Sequence, residues 1–188
     1  MTSRFAHVIG FDDAPFDRDY RGDVLIVGAV YAGLRLDGVL SAKVRRDGVN
    51  ATAVLIRTLH ASRFLPQAHL LLLQGIAFAG FNVVDLEALH QAVHVPVMAV
   101  VRRRPNLSRI KVVLLEHVPG GRRKWRLIEK AGPMEAAAGL FVQRAGISIE
   151  DARRVLKRLG VHSSMPEPLR TAHLIAGGVT LGESRHRV

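Results

Sequence analysis

The sequence predicts a single α/β domain built on a mixed β-sheet, three antiparallel strands followed by parallel ones, with helices flanking it. Three observations predict it. Val24 to Gly33 (VLIVGAVYAG) is a Val/Ile-rich run of buried-strand character. His69 to Leu73 (HLLLL) has the near-continuous apolar character of a strand covered on both faces. From Asn50 onward, strand patterns alternate with helical ones. At 188 residues, 48% of them hydrophobic, the chain can hide roughly 70% of its extended surface in one domain over residues 1–188. A disordered chain is excluded.

Taken in order, His7 to Asp12 is a short apolar run that ends in carboxylates, and DDAPFDRDYRGD connects it to Val24 to Gly33. Asp37-Gly38 has hairpin-turn chemistry and predicts a third strand over Val39 to Arg45. After Asp47-Gly48, Asn50 is placed to cap a helix whose apolar positions Val54, Leu55 and Leu59 recur at helical spacing. Following the fourth strand, His69 to Leu73, a Gly-punctuated loop leads to Asn82, which is expected to cap a helix through Gln91. Val95 to Val101 is the fifth strand. This order is the ribonuclease H topology. The last third is less regular: Lys111 to His117 reads as a strand, RRKWRLIEKAG as a basic loop or edge strand, and Met134 to Gln143 as a short helix or strand. Ser148 and Asp151 have capping-box spacing before an amphipathic helix that Gly160 stops. Pro166 to Ile175 is a final helix ended by Gly177-Gly178, and the tail LGESRHRV is expected to fray.

Charge narrows the function classes. Twenty-seven Lys and Arg against 16 Asp and Glu give +11, and residues 1–40 carry six Asp against four Arg. The remaining 148 residues therefore carry +13, with Arg102 to Lys130 the densest stretch. A basic surface holds phosphates by counterion release, and clustered carboxylates hold a divalent metal that acts on them. Zero Cys excludes a disulfide framework, a thiolate metal site and thiol catalysis. The most apolar run, Leu70 to Val84, is interrupted and too short to span a bilayer, and the first residues lack a secretory h-region. The expectation is a cytoplasmic protein with no membrane partner.

Phosphodiester hydrolysis with Mg²⁺ or Mn²⁺ needs carboxylates from different elements converging on the ion. Asp12 ends the first strand, and alternation sends Asp12 and Asp13 to opposite faces. Asp47 stands where the third strand yields to the first helix, as turn chemistry also explains. Asp85 lies in the next helix, where a first-turn carboxylate also suits the helix dipole. His90 and His94 are four apart, but Pro96 follows and no zinc spacing results. His117, His162 and His173 are proton-transfer candidates. Neither a phosphate loop of the GxxxxGK(S/T) or GxGxxG kind nor a GxSxG nucleophile is present.

The segments VIGFDDAPF, DGVLSAKVRRDG, QGIAFAGFNVVD, PVMAVVRRRP and PEPLRTAHLI, over about residues 5–178, together resemble domain-of-unknown-function family 99, a mostly archaeal relative of endonuclease V. The resemblance implies a ribonuclease H-like, endonuclease V-like fold and divalent-metal nuclease ancestry. It further implies deaminated bases, uracil or hypoxanthine, as the substrate class. Carried over, the first-strand Asp of endonuclease V falls on Asp12 and its Glu near Asp47. Its third carboxylate falls on Leu72 or Gln74, and its His near Ala145, so two of four site positions lack the expected residue. The segment Pro166, Glu167, Pro168, Arg170, Ala172 and His173 is retained, as helix packing also explains.

Three readings stay open, the last of them an unrelated metal-dependent phosphoesterase acting on a small phosphorylated molecule. In the first, an endonuclease uses Mg²⁺ or Mn²⁺ on Asp12 and Asp47, joined by Asp13 or Asp85, on DNA rather than RNA. Arg102, Arg103, Arg104, Arg122, Arg123 and Lys124 would hold the strand, Trp125 would stack on a base, and Gln74, Gly75, Phe81 and Asn82 would line a base pocket. In the second, the chain is a non-catalytic nucleic-acid binder on a nuclease scaffold.

Overall fold

A computed structural model describes residues 5–184. Three antiparallel strands come first: β1 (His7–Asp13), β2 (Asp23–Ala32) and β3 (Arg35–Arg45). The hairpin turn is Gly33-Leu34, not Asp37-Gly38, and the latter pair lies inside β3 beside a register shift at Val30/Tyr31. Gly33, at φ +66, supplies the left-handed turn residue, so turn chemistry at Asp37-Gly38 was the wrong punctuation.

Helix α1 (Ala51–His60), strand β4 (Leu70–Gln74), helix α2 (Leu86–Val93) and strand β7 (Val97–Val101) complete the expected order. Between β4 and α2 the chain forms a small ribbon, β5 (Ala77–Phe78) with β6 (Asn82–Val83), where a helix was expected from Asn82. The helix starts only at Leu86 because Asp85 caps it, accepting the Ala88 N–H at 3.0 Å. Asn50 makes no side-chain cap on α1; its Oδ1 accepts from Arg45 N instead.

The last third corrects the sequence reading most. Lys111 to His117 belongs to helix α3 (Leu107–His117), and RRKWRLIEK is helix α4 (Gly121–Lys130). Leu107, Ile110 and Leu114 of α3 meet Trp125, Leu127 and Ile128 of α4, a helical spacing hidden by Val112, Val113 and Leu115 in the same run. Strands β8 (Glu135–Ala137) and β9 (Leu140–Ala145) follow, then α5 (Ile149–Leu159), capped by Ser148 as expected. Helix α6 (Glu167–Leu181) runs through Gly177-Gly178 and stops at Gly182, φ +81. Gly177 is buried, so packing overrides its low propensity. Leu181, the first residue of the tail expected to fray, is thus helical, and the last four residues of that tail, 185–188, lie outside the described ones.

Apart from the β5–β6 ribbon, the strands form one seven-stranded sheet in the order β3-β2-β1-β4-β7-β9-β8, with β1, β4 and β7 parallel. Ile9, Phe11, Leu71 and Leu73 face Val54, Leu55, Leu86 and Leu89 of α1 and α2. Val8, Leu70 and Leu72 face Val155, Leu156 and Leu169 of α5 and α6. Each buried aliphatic contributes about 1.5–3 kcal/mol. Gly10 lets α6 approach β1 closely, since a Cβ there would sit 2.5 Å from the Pro168 carbonyl carbon. Among the described residues no helix is long and apolar enough to cross a membrane.

Candidate active site

Two carboxylates that interact with each other stand at the end of β1. Asp12 is 3% exposed, and its Oδ2 lies 2.9 Å from Nδ1 of His173 on α6. Its Oδ1 accepts the Asp13 N–H at 2.9 Å. The parallel register, Phe11 opposite Leu73, sets Asp12 level with Gln74 on the neighbouring strand, so both occupy the α6 face. The Gln74 Oε1 is buried and has no hydrogen-bond partner. His173 is held over Asp12 by the seating of α6: Tyr31 and Thr171 hydroxyls hydrogen-bond at 2.7 Å, and the buried Glu167 carboxylate accepts from Arg170 Nε at 2.9 Å.

Asp13 reaches the ribbon loop while its carboxyl stays within hydrogen-bond reach of the Asp12 carboxyl. Its Oδ2 accepts the Ala79 N–H at 2.7 Å, while Asp47 Oδ1 accepts the Phe81 N–H at 2.8 Å and the Asp47 N–H donates to the Ala79 carbonyl at 2.8 Å. Asp13 and Asp47 thus grip successive turns of one loop. The grip requires Gly80, φ +83, because a Cβ there would stand 2.4 Å from Asp47 Oδ1. Asp47 itself takes φ +49, which Asp tolerates better than most residues. Arg46 Nε lies 3.4 Å from Asp47 Oδ2, and the buried Lys124 ammonium donates to the Asp47 carbonyl.

Burial raises the Asp12 carboxyl above its usual range even though His173 pulls it down. Burial, and then the charge of Asp12, pushes Asp13 up to about 7. Two adjacent carboxylates that hold negative charge at a cost have a high affinity for a proton or a cation. That pair and the orphaned Gln74 oxygen suit a hard divalent ion. Among the described residues, no three His, Asp or Glu side chains stand together as a complete ligand set.

Several predicted site residues fall elsewhere. Asp12 and Asp47 were expected to converge; instead Asp13 shares a loop with Asp47, and Asp12 sits with His173 and Gln74. Asp85 is a helix cap ion-paired to Lys130 at 2.8 Å; burial alone would raise its pKa, but the hydrogen bond and charge of Lys130 and the Ala88 and Glu87 N–H groups together lower it. Asn82 is fully buried and cannot line a base pocket, since its Oδ1 accepts from Ala51 N and its Nδ2 donates to Arg45 O and Asn50 Oδ1. Gln74, Gly75 and Phe81 are half-buried. Lys124 is 1% exposed, so it braces Asp47 rather than holding a strand. Trp125 donates to Glu129 and carries the Lys111 ammonium 5.1 Å from its ring centroid, which ties α3 to α4. Arg102, Arg103, Arg104, Arg122 and Arg123 are exposed as expected.

Ala145 pairs with Val97, at the end of the sheet opposite Asp12, so no site residue belongs there. The imidazole comes from His173, whose segment was visible in the sequence but explained by packing. Arg46 was missed altogether; beyond Asp47, it donates to the Tyr20 carbonyl and stacks 5.4 Å from the Phe16 ring centroid.

This sheet order, with carboxylates at the end of its first strand and a histidine arriving from the last helix, defines a ribonuclease H-like α/β protein. The sequence profile of the endonuclease dU family matches residues 4–180, and the chain belongs to that family. A UPF0215 protein of Deinococcus radiodurans is 59% identical over 181 residues, covering 96% of this chain and 92% of its own. The crystal structure of a protein of unknown function from Archaeoglobus fulgidus superposes with a TM-score of 0.86 at 29% identity, over 92% of this chain and 97% of that one. Ciona intestinalis endonuclease V, crystallised with a 24mer DNA containing an inosine, shares the fold with a TM-score of 0.55 at 14% identity, over 89% and 82% of the two chains.

Proposed function

We propose that the protein is a metal-dependent endonuclease that hydrolyses a phosphodiester of DNA close to a deaminated base, with uracil the first candidate and hypoxanthine the second. The observation that carries this reading is the Asp12–His173 pair beside the orphaned Gln74 oxygen, at the strand end where Asp13 also lies. Family membership supports a nuclease acting on nucleic acid. Asp12, Asp13 and Gln74 would hold Mg²⁺ or Mn²⁺. When bound, the ion supplies Lewis acidity and an activated water. His173 Nδ1 donates to Asp12 when that carboxylate is ionised and fixes its orientation. Asp13 and Asp47 hold the Ala79–Phe81 loop against the site, and the exposed arginines from Arg102 to Arg123 receive phosphates.

The test is nicking of uracil-, hypoxanthine- and undamaged oligonucleotides with Mg²⁺, Mn²⁺ or chelator. The expected result is metal-dependent nicking of the uracil strand that disappears in Asp12→Ala. An active Asp12→Ala enzyme would remove the proposed site. The incomplete ligand set favours one competing reading, a nucleic-acid binder without catalysis. Salt-dependent binding with no cleavage under any metal would establish that reading instead.

A further inference from the structure

The helical hairpin α3–α4 carries a surface that the carboxylate site does not use. Residues 102–130 hold ten Lys and Arg against two Glu, so this stretch supplies +8 of the chain's +11. One flank of the hairpin is anchored: Leu114 is fully buried, and it clusters with Val83 and Ile128 against Ile76, Ala77 and Phe81 of the ribbon loop. That loop is the one Asp13 and Asp47 grip. On another flank of α3, Val112 is 50% exposed and Leu115 is 45% exposed. They are three residues apart and therefore neighbours on the helix surface. Arg109 and Lys111 neighbour them on the same helix, three and four residues away, and Arg122 and Arg123 are exposed on α4.

We infer that this face is a docking surface for duplex nucleic acid, in which the cations hold phosphates and Val112 and Leu115 press on sugars and base edges in a groove. The inference rests on the nucleic-acid reading above and names the form of the substrate. Charge selects the occupant: a second copy of this chain would bring the same +8 against itself, whereas a polyanion matches it. The apolar chemistry selects duplex over single strand. Surfaces for single strands present free aromatic faces on which bases stack. The aromatic here, Trp125, is occupied by Lys111 and Glu129, and what the face offers is a pair of aliphatics among cations, the combination that suits a groove. Helix α3 packs on the ribbon loop that Asp13 and Asp47 grip, so the surface adjoins the loop beside the carboxylates.

Phosphate contacts fall away with salt, and apolar contacts do not. Anisotropy titrations in chelator therefore test the assignment without any cleavage, using one uracil-containing strand alone and in duplex across a salt series. The expected result is that Val112→Ser with Leu115→Ser weakens duplex binding about tenfold at every salt concentration, leaves the salt slope unchanged and spares the single strand. Arg122→Ser with Arg123→Ser should instead flatten the slope by about 2. Both pairs are exposed, and unchanged circular dichroism confirms the fold. Wild-type duplex affinity in the Val112/Leu115 variant, or equal losses on duplex and single strand, overturns the inference. If the wild type binds duplex as described yet nicks nothing with metal, the nuclease reading fails and this surface stands. If it binds neither form, both fall.

Discussion

His173 Nδ1 lies 2.9 Å from Asp12 Oδ2, joining two residues 161 positions apart at the end of β1. The pair acts as a unit, because the carboxylate is buried and the imidazole is its charged-state partner. His173→Ala and Asp12→Asn should each lower single-turnover nicking of a uracil oligonucleotide by about 100-fold or more. The double variant should be no worse than the poorer single. Additive losses would show that the two residues act separately.

Asp13 should cost stability at neutral pH. Its folded pKa, about 7, exceeds the ordinary 3.8, so the folded state binds the extra proton between those values. Stability from this group is complete below about pH 4 and is lost as pH rises toward 7. Asp13→Asn keeps an oxygen for the Ala79 N–H and removes the charge. Thermal melts should therefore put the variant about 5 °C above wild type at pH 8 and level with it at pH 4. A variant less stable than wild type at pH 8 would mean that the carboxylate is held by an interaction stronger than its burial cost.

Gln74 is the neutral member of its neighbourhood. Gln74→Asp places a third carboxylate beside Asp12 on the same sheet face. Without metal the variant should melt below wild type, since one more buried anion lacks a partner. Mg²⁺ or Mn²⁺ should restore it, with half-saturation at several-fold lower metal than wild type. Destabilisation that no divalent ion repairs would count against a metal at this strand end.

The contrast between these residues shows what the sequence made legible. Strands β1, β4 and β7 were readable because burial on both faces leaves continuous apolar runs, and Asp12 stood out because such a run ended in it. The alternation of Asp12 and Asp13 was equally plain, but which face held the chemistry depended on His173, and nothing local ties position 173 to position 12. Helices α3 and α4 were misread because their buried stripe is only three or four residues wide within a run of valines and arginines. Lys124 was read as a strand-holding cation for the same reason: its neighbours Arg122 and Arg123 are exposed, and helical rotation alone turns it inward.

Lys124 supplies the remaining prediction. Its ammonium is buried, which pushes its pKa below the usual lysine value, and it donates to the backbone carbonyl of Asp47. The contact fixes the turn whose side chain holds Phe81, and so it transmits the packing of α4 to the loop beside the carboxylates. Lys124→Met preserves the aliphatic stem and removes the donor, leaving the Asp47 carbonyl without it. The expected cost is about 1–3 kcal/mol in urea-induced unfolding. Because the lysine does not face the strand, the variant should keep the wild-type salt slope for duplex binding, unlike the Arg122/Arg123 variant. A slope reduced by about 1 with unchanged stability would instead place the ammonium on a phosphate.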